Sequence, residues 1–143
     1  MYRQMCGLFG LLPSLCLLGG CGGAFSPVKG ELVFPDGSPV TGMEGARIVF
    51  EATGSDGKEY SSVGTVDAEG HFELTTNKTG DGAPVGKNRV LIERKMLDSE
   101  RMAPRVIAAK YEKFETSGLE YEVISGKNYA KFTVEAVKKT AGK

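Results

Sequence analysis

A chain of 143 residues with 18 basic and 18 acidic side chains has no net charge, which argues against the basic face that nucleic-acid binding needs. Twenty glycines and no tryptophan describe a turn-rich chain of one domain's length. Strand-like alternation is plentiful in it, and long runs at the helical period are nearly absent.

The first twenty residues differ from the rest. Arg3 is their only charge, and an apolar segment runs from Leu8 to Leu18. That is the length of a signal-peptide apolar region and is short of the ~20 residues that span a bilayer. Gly10 and Pro13 weaken it further as a permanent membrane helix. It ends on Leu18-Gly19-Gly20-Cys21, which resembles the lipobox of bacterial lipoproteins. The resemblance implies a signal peptide over residues 1–20, recognised at Leu18, Gly19 and Gly20 and cut before Cys21. Small residues there let a peptidase reach the backbone. The Cys21 thiol is the nucleophile that takes the lipid, and several acyl chains anchor a protein where one holds it only marginally. The competing reading is an ordinary cleaved leader with an incidental cysteine. Gly22, where an aspartate would signal retention in the inner membrane, implies an outer-membrane destination. Residues 21–27 read as a short lipidated tether. Cysteines 6 and 16 leave with the leader, so no disulfide forms in what remains. One cysteine and one histidine build no metal site, and no cofactor is expected.

The remaining chain reads as strands. Val28, Gly30, Leu32 and Phe34 share one face of a first strand, with Lys29 and Glu31 on the other. Residues 35–39 form a turn. Ala46, Ile48 and Phe50 share a face of the second strand, and residues 53–58 are a polar loop. Residues 60–66 resume as a less regular strand. Asp67-Ala68-Glu69-Gly70 is a hairpin turn, in which aspartate caps and glycine accepts positive φ. Phe72 and Leu74 point inward beyond it, and residues 77–84 form another loop. Val90 and Ile92 mark the next strand. Residues 94–110 break the rhythm, and the pattern predicts a short helical turn over 97–102 capped by Asp98 or Ser99. Residues 111–118 read as a polar loop. Strands over 119–123 and 130–136 close the domain, and residues 138–143 form a polar tail. About seven strands at regular spacing predict an all-β fold, an antiparallel β-sandwich over 28–137.

Val28-Lys29-Gly30, the run from Thr65 to Phe72, and Gly82-Ala83-Pro84-Val85-Gly86 resemble the carboxypeptidase regulatory-like domains. Lys110-Tyr111 and Thr116-Ser117-Gly118-Leu119 resemble short bacterial lipoproteins carrying such a domain alone. The resemblance implies a transthyretin-like (prealbumin-like) Greek-key sandwich in the cell envelope, and no activity of its own. One enzyme of that fold hydrolyses 5-hydroxyisourate with histidines, an arginine and a C-terminal Tyr-Arg-Gly-Ser. This chain has one histidine and ends Thr140-Ala141-Gly142-Lys143, which rejects that activity.

No catalytic constellation is legible. His71 has Asp67 and Glu69 beside it but no nucleophile, and reads as an exposed turn residue. Asp67, Gly70 and Phe72 are structural, since a calcium loop needs more oxygen ligands than Leu74 and Thr75 supply. Asp56 and Asp81 offer no better spacing. A Lys29–Asn128 isopeptide bond would need a buried lysine, and Lys29 alternates outward. The cations Arg94, Lys95, Arg101, Arg105 and Lys110 read as a solvated loop, diluted by Asp98 and Glu100, more than as a lipid-headgroup site. Tyr111, Phe114 and Tyr121 are the candidate partner surface, lacking tryptophan as the strongest anchor. The expected protein is a non-enzymatic, lipid-anchored envelope module facing the periplasm or surface. Its expected partners are the membrane, through Cys21, and an envelope protein. A glycan- or peptide-binding module is the alternative, and a hydrolase ranks last.

Overall fold

The computed structural model describes residues 24–139, and they form a mostly β domain. The strands, in chain order, are β1 Phe25–Ser26, β2 Val28–Val33, β3 Arg47–Thr53, β4 Glu59–Thr65, β5 His71–Glu73, β6 Ala83–Pro84, β7 Gly86–Glu93, β8 Leu119–Val123 and β9 Asn128–Thr133. A 3-10 turn, Ala109–Glu112, and a one-turn helix α1, Phe114–Ser117, precede β8. Strand order is β5-β2-β9 in one sheet and β4-β3-β7-β8 in another, with β1 and β6 paired separately.

The two larger sheets pack through side chains that alternation placed inward. Leu32, Ile48, Phe50, Leu74, Val90 and Val134 are fully buried. The Phe50 ring of β3 lies 6.3 Å from Phe72 of β5 and 5.8 Å from Phe132 of β9. Phe72 and Phe132 stack at 6.3 Å on one sheet, so three rings bridge the layers at separations typical of favourable aromatic pairs.

Pairing departs from the antiparallel expectation at one place. β2 and β9 run parallel, with Val28 opposite Asn128 and Val33 opposite Thr133. The reason is local. The chain leaves β8 in one sheet, turns at residues 125–127, and enters β9 beside Pro27, where β2 also begins. Asn128 donates its backbone N–H to the Pro27 carbonyl at 3.0 Å. Its buried amide accepts from Ile124 N–H and donates to the carbonyls of Ile124, Gly126 and Pro27. Both strands therefore start at one end.

Three further expectations change. The tether is partly strand, because β1 pairs antiparallel with β6, Phe25 opposite Pro84 and Ser26 opposite Ala83. Residues 97–102 form no helix. They make a small hairpin closed by a Met96–Met102 bridge, with Asp98 accepting from Glu100 N–H and Arg101 N–H. A lone helical turn there would lack neighbours to repay its nucleation. The helical turns fall instead over Ala109–Glu112 and Phe114–Ser117, largely in the stretch expected to be a polar loop, and pack against β7.

Candidate functional site

Leu18, Gly19, Gly20 and Cys21 lie outside the described residues. What the structure gives is the point where the chain enters the fold. The Ala24 carbonyl accepts a bond from Val85 N–H at 3.3 Å. Phe25 packs edge-on against Tyr60, ring centroids 4.9 Å apart. Tyr60 in turn donates its hydroxyl to Asp56 at 2.6 Å. Gly82 makes room for β1, since a Cβ there would lie 1.7 Å from the Ser26 carbonyl oxygen. The chain is thus fixed to the body from Ala24 onward.

Asp67 and Gly70 build the expected turn. Gly70 has φ of 86°, and its N–H donates to the Asp67 carbonyl at 3.2 Å. Asp67 Oδ1 accepts from the N–H groups of Glu69 and His71 at 2.9 and 2.8 Å. The His71 N–H bond foremost holds the Asp67 carboxyl below its ordinary value. The turn also moves the chain between layers, because β5 pairs with β2 in the other sheet, placing Phe72 opposite Gly30. Ligand atoms of Asp67, Glu69 and His71 come within 4.8 Å of one another. All three residues are exposed, and one Asp67 oxygen is already committed to two backbone donors. His71 Nδ1 lies 3.5 Å from Asp67 Oδ2, a surface contact with its own turn.

The three aromatic residues expected to form a partner surface do not share one. Tyr111 is a core residue, only 4% exposed. The 3-10 turn rotates it inward from a charged run, and its hydroxyl accepts the Glu135 N–H at 3.0 Å. Tyr121 is half-buried against the core, 6.1 Å from the Phe50 ring. Phe114 is half-buried beneath the Arg89 guanidinium, 5.0 Å from its ring centroid.

The connection of residues 94–108 is more ordered than its sequence suggests. Glu112 accepts from Arg105 Nε at 3.0 Å and forms an ion pair with Arg94, whose buried Nε lies 2.8 Å away but is not aligned to donate. Arg94 Nη1 donates to the Ala103 carbonyl at 3.1 Å, and Ile107 bridges Ala136. The hairpin tip leaves Met96, Leu97 and Met102 exposed at 63%, 53% and 40%. Beside it lies an open cleft of about 380 Å³, lined by Arg47, Glu93, Lys95, Met96, Met102 and Glu112. Arg101 is engaged by Asp98 and Lys110 by Glu135, so that with the two Glu112 pairs four of the five cations, all but Lys95, have an acidic partner. The sequence signal was there, since apolar residues without alternation among charges mark an exposed hairpin as well as a helix. Strand β7 runs from the β1–β6 corner to this hairpin, so the two ends of the domain stand about 23 Å apart.

Comparison with protein-family models, with curated proteins and with solved structures returned no match. The class that the structure itself defines is a small, mostly β domain of several sheets, its two larger ones packed together, with an apolar hairpin at the end remote from Ala24.

Proposed function

We propose that this protein is a lipoprotein of the bacterial envelope, anchored through acyl chains on Cys21 and carrying a transthyretin-like, non-catalytic sandwich that engages another envelope protein. The observation that carries the anchor is Leu18-Gly19-Gly20-Cys21 at the end of an apolar segment. Among the described residues no helix is long and apolar enough to cross a membrane. The reading of the domain as an interaction module is supported by Met96, Leu97 and Met102, an exposed apolar group of the kind that marks contact sites. It stands at the end remote from the anchor, where a partner has access.

The experiment has two arms. Cells fed an alkyne analogue of palmitate should label the native chain and leave Cys21→Ser unlabelled and in the soluble fraction. Cross-linking from Leu97 should then recover one recurring envelope protein. Membrane retention of an unlabelled Cys21→Ser chain would sink the anchor. Peptidoglycan or glycan capture that depends on Leu97, with no recurring protein, would replace the protein partner with the ligand-binding alternative.

A further inference from the structure

The end of the domain nearest Cys21 bears its own small apolar surface. Gly86 pairs with Val123, so Val85 and Ile124 flank the same step of the β7–β8 ladder. They are 38% and 60% exposed. Ile124 leads into the turn of residues 125–127, where Lys127 is exposed and forms no ion pair among the described residues. Lys58 is likewise exposed, in the loop that the Tyr60–Asp56 bond closes beside Phe25.

Chain length decides what this surface meets. Val85 N–H is bonded to the Ala24 carbonyl. Only three Cα steps separate Ala24 from Cys21, a maximum reach of about 11 Å. Acyl chains on Cys21 therefore leave no room for this end to stand clear of the headgroups. The Met96–Met102 hairpin, about 23 Å along β7, lies beyond that reach. The outer face of the β5-β2-β9 sheet is mostly charged, and its exposed tyrosine, Tyr129, stands opposite Lys29 near this same end. That face carries the Lys29–Glu73 and Lys131–Glu31 pairs.

We infer that the β1–β6 end seats on an anionic phospholipid surface, with Val85 and Ile124 entering the headgroup region and Lys58 and Lys127 facing lipid phosphates. The inference rests on lipidation of Cys21. It fixes the orientation of the domain, with the Met96–Met102 hairpin pointing away from the bilayer.

The test uses the full chain, matured in bacteria and reconstituted in vesicles of phosphatidylethanolamine and phosphatidylglycerol. Lipidation consumes the Cys21 thiol, and no other cysteine remains after cleavage. Ile124→Cys and Leu97→Cys each then offer one site for an environment-sensitive fluorophore. A nitroxide lipid should quench the Ile124 probe several-fold more than the Leu97 probe. Lys58→Glu with Lys127→Glu should narrow that contrast. Val85→Cys serves as a second proximal site where Ile124→Cys perturbs the fold. Equal quenching at both ends of a palmitate-labelled chain overturns the seating and leaves the anchor standing. A chain that takes up no palmitate overturns both.

Discussion

Gly30 and Phe72 face each other across the β2–β5 pair, and the phenyl ring occupies the space a side chain on Gly30 would fill. A Cβ on Gly30 would lie 2.4 Å from Phe72 Cζ and 2.2 Å from the Ala130 carbonyl oxygen. The ring is thereby free to stack on Phe132 and reach Phe50. One absent side chain lets three aromatic rings join the layers.

Gly30→Ala is therefore expected to cost about 3 kcal/mol or to prevent folding, because backbone as well as ring must yield. Urea denaturation with the native protein alongside measures it. A loss under about 0.5 kcal/mol would show that β2 shifts freely between its neighbours.

Three core strands were legible because their core-facing side chains alternate, although Val49 and Leu91, opposite each other on the reverse face of β3 and β7, are buried too. Ile48 and Phe50, Val90 and Ile92, and Phe132 and Val134 hold the inward positions that period two assigns them. What period two does not encode is which strand lies beside which. The parallel β2–β9 pair follows from the path of the chain from one larger sheet to the other after β8, and β5 pairs with β2 because the Asp67–Gly70 turn changes layers. β1 and β6, two residues each, are too short to show any period. Tyr111 misled because Lys110, Glu112 and Lys113 surround it, and a 3-10 turn buries one residue of a charged run without apolar neighbours to announce it.

Tyr111→Phe tests that correction. It keeps the ring in the core and removes the acceptor of the Glu135 N–H. The expected cost is about 1–2 kcal/mol, from one stranded backbone donor. Tyr111→Ala should cost about 3–5 kcal/mol. Thermal unfolding reads both, and an unchanged midpoint for the alanine variant would return Tyr111 to the surface.

Acid should loosen the loop before β6. Asp81 Oδ1 accepts from Thr76 N–H at 2.7 Å, and Oδ2 from Asn77 and Lys78 N–H at 2.9 Å. Desolvation alone would raise its carboxyl, but the three backbone bonds outweigh it and hold the group below 3.8. A depressed carboxylate contributes stability that is present above its unfolded value and is lost as pH falls through its folded one. Stability should thus be flat near neutrality and decline below about pH 4. Asp81→Asn should lower it by about 1–2 kcal/mol at neutral pH, discounted for partial exposure, and make the acid limb shallower. Parallel pH profiles of the two proteins would contradict this assignment.

The Glu112 carboxylate ties the 94–108 connection to the 3-10 turn through two arginines. Its exposure, like that of Arg94, is 22%, which places the pair between a solvated bridge and a buried one. Arg105 is more exposed, at 43%, and contributes less. Glu112→Gln removes the charge from both contacts and is expected to cost about 1–2 kcal/mol, with the Arg94 coupling the larger share. A double-mutant cycle of Arg94→Ala with Glu112→Gln should return about 0.5–1.5 kcal/mol, and the Arg105 cycle less than half of that. Amide exchange at Met96 and Met102 should quicken in Glu112→Gln, since Arg94 also holds the Ala103 carbonyl. Zero coupling in both cycles would assign the hairpin's order to its backbone bonds instead, chiefly Ala103 N–H to the Lys95 carbonyl at 2.8 Å. The apolar tip would then owe its presentation to Lys95 and Ala103, with Glu112 only marking the surface beside it.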